Sequence, residues 1–173
     1  MKLQNAIAAL MSILAIAVVQ SGCEKKGTHD GKQKPDAHHH HTAPHGGALV
    51  VLGKEFAHLE FVLEESTGKL TGYVLDSEAE KPVRLTQNTI ELKLNRLKSG
   101  QSITLQLKAA ANVLTGETEG DTSQYEGQSD VLKGMTEFHA QIASIAVKGQ
   151  HFTKVDFDFP EGNEGEHGEH HEH

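Results

Sequence analysis

A chain of 173 residues with 24 acidic against 16 basic side chains carries a formal charge of −8. It lacks the basic stripe that a nucleic acid requires, so nucleic acid is excluded as a partner. A single cysteine excludes an intrachain disulfide framework, and thirteen histidines are the one compositional excess.

The chain opens on a targeting pattern. Lys2 is followed by the run AIAALMSILAIAVV (6–19), which is short for a membrane span and of the length of a signal-peptide core. QSGC (20–23) comes next and resembles the bacterial lipobox, with Gln20 where that motif carries an aliphatic residue. The expectation is a signal peptide over 1–22, cleavage before Cys23, and a lipid-bearing Cys23 that holds the protein on a membrane. Residues 23–45 have no large apolar side chain after the cysteine, the composition of a solvated tether, and contain His29, His38, His39, His40, His41 and His45.

Residues 46–160 alternate with period two and predict one domain. ALVVLG (48–53) is a first strand. In FAHLEFVLEE (56–65), Ala57, Leu59, Phe61 and Leu63 share an inner face, which places His58 and Glu60 on a presumed solvent face. STGK (66–69) predicts a turn with Gly68 at positive φ, and KLTGYVLD (69–76) is the return strand. NTIELKLNRL (88–97) and SITLQLKAA (102–110) form a second pair, and TGETEGDTS (115–123) is too polar for anything but a loop. SQYEG predicts a short strand at Tyr125. SDVLKG (129–134) predicts one helical turn capped by Ser129 or Asp130 and ended by Gly134.

The final hairpin joins TEFHAQIASIAVK (136–148) to HFTKVDFDFP (151–160) through Gly149-Gln150, a type II′ signal. That register sets Ala146 opposite Thr153, Ser144 opposite Val155, Ile142 opposite Phe157 and Ala140 opposite Phe159. It also brings His139 diagonally close to Asp158. About eight short strands with one helical turn predict an all-β fold. An antiparallel β-sandwich of the immunoglobulin-like type leads, and a closed barrel is the alternative. Residues 161–173, EGNEGEHGEHHEH, read as a solvated Glu/His tail.

Histidine is where chemistry is expected. Neutral imidazole suits copper, zinc and nickel. His38 to His41 precede the domain, while His167, His170, His171 and His173 follow it among Glu166, Glu169 and Glu172. Such tracts are expected to trap ions with little selectivity. Within the domain, His58 and Glu60 are two ligand types at i, i+2. The sharper expectation is an ordered site of His45, His58, Glu60 and His139, and His151 is expected to be merely exposed. No GxSxG elbow, phosphate-binding glycine loop or spaced HExxH is present, so no enzyme is expected.

APHGGALVVLG, with FAHLEFVLEESTGKLTGYVLDSEAEKPVRL after it, resembles a group of small exported bacterial lipoproteins. They share a His-Gly-Gly opening, and the opening is similar to that of periplasmic segments associated with heavy-metal efflux. The resemblance covers most of residues 44–160, and SQYEGQSDVLKG and the closing hairpin fit it too. It implies an envelope location facing the periplasm and a β-sandwich, and marks His45, Gly46, Gly47 and His58. The expected function is a lipid-anchored envelope protein that binds or buffers Cu, Zn or Ni ions. The alternative is an envelope interaction module, or an accessory of a metal-efflux system, in which the histidine tracts are spacers.

Overall fold

The computed structural model describes residues 41–98 and 100–164. The expectations for the signal segment, Cys23, His29, His38, His39, His40, His167, His170, His171 and His173 lie outside the described residues.

Eight strands follow in chain order: β1 (Ala48–Leu52), β2 (Ala57–Glu64), β3 (Lys69–Leu75), β4 (Thr89–Asn95), β5 (Ile103–Ala109), β6 (Gln124–Gln128), β7 (Phe138–Val147) and β8 (Gln150–Phe159). They form one antiparallel sheet in the order β1-β2-β3-β6-β5-β4-β7-β8. The sheet is nearly closed, with its first and last strands brought together. The all-β antiparallel class, the eight strands and one short helical turn are as the pattern predicts. The single helical element is a 3-10 turn over Asp130–Leu132, capped by Ser129, whose side chain accepts from the Val131 N–H. Among the described residues, no helix is long and apolar enough to cross a membrane.

Alternation explains the core. Ala57, Leu59 and Phe61 of β2, Ile90, Leu92 and Leu94 of β4, and Leu105 and Leu107 of β5 all point inward and are buried. Phe61 stacks on Phe157 of β8 at 4.7 Å between ring centroids, so side chains from opposite ends of the strand order meet in one core. Burying each such side chain contributes roughly 1.5–3 kcal/mol. Tyr125 of β6 is also fully buried. Its hydroxyl donates to the Gln87 carbonyl at 2.6 Å, and burial pushes its pKa up to about 12. The turn after β2 has Gly68 at φ +69°, as the STGK signal requires.

The last hairpin corrects the expected register. Val147 pairs with Gln150, Ile145 with Phe152, Ile142 with Val155 and Ala140 with Phe157. The loop is therefore Lys148-Gly149, with φ +47° and +81°, the signature of a type I′ turn and not the expected II′. The slip is two residues, so side chains far from the turn keep their faces. Near the turn, however, the inward face changes parity. Ile145, Val147 and Phe152 are buried while Ser144 and Thr153 are exposed. The change falls at Lys154, which sits at φ +54° opposite Ala143.

Candidate metal centre

The expectation that His58 and Glu60 face solvent is overturned, because both are fully buried. Strand β2 lies between β1 and β3, with His58 opposite Val51 and Leu75, and Glu60 opposite Leu49 and Tyr73. Its inner face enters the core. Its outer face is covered by the segment that precedes β1 and the segment that follows β8. The packed structure thus extends past the expected 46–160 boundaries, to residues assigned from sequence to the tether and the tail. A small apolar cluster of Leu49, Leu75 and Ala79, with Ala43 packed against it, accompanies this cover.

Glu60 anchors the first covering segment. Its carboxylate accepts from the backbone N–H groups of His45 at 2.7 Å and Gly47 at 2.8 Å. It also meets Nδ1 of His45 at 2.7 Å. The His45 ring lies flat on Tyr73, with centroids 3.9 Å apart. Desolvation, then the nearby Glu126 and Glu60 carboxylates, push the Tyr73 hydroxyl above its usual range despite the Lys69 charge. Glycine is required at position 47, since a Cβ there would come within 2.3 Å of the Phe61 carbonyl oxygen. The His-Gly-Gly motif is thus a wrapping of backbone donors around one buried carboxylate.

That wrapping sets His41 over His58. The two rings meet edge to face with centroids 4.8 Å apart. Nδ1 of His58 lies 2.9 Å from the Asp76 carbonyl oxygen. A carbonyl only accepts, so Nδ1 carries the proton and Nε2 presents a lone pair. The Asp76 turn is itself firmly made. Its carboxylate accepts from the N–H groups of Glu80 at 3.0 Å and Lys81 at 3.2 Å. Desolvation raises the Asp76 pKa, but backbone donors at 80, 81 and 78 and the Lys81 charge outweigh it and hold the carboxyl below its ordinary value.

Nε2 of His58 and Nε2 of His41 are both buried and have no hydrogen-bond partner. A buried imidazole nitrogen left bare loses about 1–3 kcal/mol of solvation, and such groups need an explanation. Glu164 supplies one. Its carboxylate stands beside the pair, and one oxygen accepts from the His41 N–H at 3.3 Å. One ligand atom from each of His41, His58 and Glu164 lies within 4.8 Å of the other two. Around a tetrahedral zinc with bonds of about 2.0–2.2 Å, ligand atoms stand roughly 3.3 Å apart. An ion would draw the three atoms closer by up to about 1.5 Å. The Nδ1 bond to a backbone carbonyl is the outer contact that metal-bound histidines ordinarily make.

Glu164 is carried by a tightly fixed stretch. Gly162, at φ +80°, approaches β1 so closely that a Cβ would sit 1.9 Å from the Leu49 carbonyl oxygen. Asn163 then accepts from the Val51 N–H at 2.7 Å, and its side-chain amide donates to the carbonyls of Val51 and Asp156.

The four residues expected to form one site are therefore divided. His45 and Glu60 bind each other, and His58 faces His41 and Glu164. His139 stands on β7 with Nδ1 3.1 Å from Asp158 and Nε2 3.3 Å from Asp156, so both ring nitrogens are engaged by carboxylates. His139 and Asp158 are direct cross-strand partners, closer than the diagonal expected. His151 is exposed, as expected. His41 was legible only as one of four equivalent histidines, and Glu164 only as one of several tail glutamates. No short-range signal marks either. The sequence matches no family model, no curated protein and no solved structure.

Proposed function

We propose that the protein binds a transition-metal ion at His41, His58 and Glu164, as part of a metal-binding or metal-buffering role in the bacterial cell envelope. The observation that carries this reading is the pair of buried, unpartnered imidazole nitrogens converging beside a carboxylate. Two imidazoles and one carboxylate suit zinc, copper or nickel in their divalent states. Three protein ligands leave a coordination position for water or an outside ligand, the composition of an exchangeable site and not of a closed structural one. The histidine tracts at 38–40 and 167–173 would gather further ions with less selectivity. Attachment through a lipid on Cys23 belongs to the same proposal and is supported by the order of hydrophobic run, small residues and cysteine.

Calorimetric titration of Zn(II), Cu(II) and Ni(II) into the full-length protein and its His41→Ala and His58→Ala variants tests the site. The tightest binding step is expected to weaken by ~100-fold or more in both variants, since loss of even an outer contact costs 10–100-fold. Equal tightest affinities in all three proteins would assign binding to the tracts alone and remove the site.

A further inference from the structure

The three ligands come from three separate parts of the chain, and this has a consequence for the sheet. His41 belongs to the segment before β1, His58 to β2 and Glu164 to the segment after β8. The residue before Glu164 is the one that spans the gap between the first and last strands. Asn163 bonds β1 through Val51 N–H and C=O, donates its own N–H to the Leu49 carbonyl at 3.3 Å, and reaches Asp156 of β8 at 3.3 Å. Gly162 adds a rung on the β8 side, where its N–H donates to the Asp158 carbonyl at 2.6 Å and its carbonyl accepts from the Asp158 N–H at 3.1 Å. Residues 162–163 thus act as a clasp between two strand edges.

We infer that an ion held by His41, His58 and Glu164 locks this clasp, so that metal loading closes the sheet between β1 and β8. The inference rests on the metal reading above. Without the ion, the His41 N–H reaches the Glu164 carboxylate at 3.3 Å, and two buried nitrogens favour opening toward water. With the ion, lifting Glu164 away from β2 means breaking a coordination bond. Opening of the clasp and release of the ion become one event, and the ion suppresses opening by the factor 1 + [ion]/Kd.

The Val51 amide reports this directly, because its N–H is given to Asn163 and not to β2. Hydrogen exchange is followed by NMR on the purified full-length protein, with EDTA and then with Zn(II) as the only added ion. At free zinc of 100 times Kd, Val51 exchange is expected to slow by about a hundredfold. Leu105 in β5, far along the strand order, serves as the comparison amide and is expected to slow less. His41→Ala is expected to leave the zinc-free Val51 rate near that of the wild type and to abolish the zinc effect. Asn163→Ala is expected to bind zinc with Val51 exchanging fast in both conditions. Zinc binding at the site with an unchanged wild-type Val51 rate would overturn the clasp and leave the metal reading standing. A tightest step unaffected by His41→Ala would overturn the metal reading itself, and the clasp with it.

Discussion

Glu60 and His58 stand two residues apart on one face of β2, and both are completely buried. Their surroundings differ in one respect. Every oxygen of Glu60 is met by donors from the His-Gly-Gly turn. His58 gives one nitrogen to a carbonyl and keeps the other bare, facing a second bare nitrogen on His41. A buried polar group that is fully paired explains itself as structure, whereas one that is half paired points to a partner that comes and goes. By that criterion Glu60 is the anchor and His58 the candidate ligand of the proposed site, although both looked like equal ligand candidates in the sequence.

Substitution at the two positions should break the comparison in opposite ways. Glu60→Ala strands the N–H groups of His45 and Gly47 and frees the segment that carries His41. Urea denaturation in EDTA should show a loss of about 3–5 kcal/mol, since each lost hydrogen bond to a charged group contributes about 1.5–3 kcal/mol. His58→Leu removes a group that was never fully satisfied and fills its place with apolar atoms. Its stability in EDTA should stay within about 1.5 kcal/mol of the wild type. The stabilisation by zinc, about 2.7 kcal/mol at free ion of 100 times Kd, should vanish. Equal losses at both positions in EDTA would erase the distinction.

A second buried acid sharpens it with a smaller effect. Glu117 accepts from the Ser123 hydroxyl at 2.6 Å, the Ser123 N–H at 2.9 Å and the Thr115 hydroxyl at 2.7 Å, with Arg84 3.6 Å away. Desolvation raises its pKa, but these donors and the Arg84 charge outweigh it and hold the carboxyl below its ordinary value. A group whose folded pKa is lowered stabilises fully above its unfolded value and loses that contribution as pH falls through the folded one. Thermal melting should therefore drop by a few degrees in this acid window, and Glu117→Gln should flatten that part of the profile. An unchanged acid limb in the variant would mean that the donors around Glu117 do not set it.

The sheet was legible in the sequence because its signals are local. Ile90, Leu92 and Leu94 alternate, Gly68 turns the chain, and Ser129 caps the short helical turn. The outer face of β2 was not legible, because what buries it is remote in sequence. Nothing near His58 announces that residues 41–47 and 161–164 return to cover it, so a polar side chain on an alternating strand reads as solvent-facing. The hairpin register failed for a related reason: Lys148 adopts a positive φ that its side chain does not advertise, while the neighbouring Gly149 invited the wrong turn. The His-Gly-Gly motif was legible as a marker but not as a role. Its histidine seals a carboxylate, and the histidine that meets His58 is His41, the last of a run of four.

The proposed metal site turns on His58 Nε2, and long-range proton–nitrogen NMR of the histidine rings reads that atom. In EDTA, His58 should show the Nδ1–H form with a bare Nε2. On addition of one equivalent of Zn(II), its Nε2 signal should shift strongly to the position of a coordinated nitrogen, together with that of His41, while the His139 and His151 signals stay in place. A His58 Nε2 signal that does not move while the protein takes up zinc would remove His58 from the metal site.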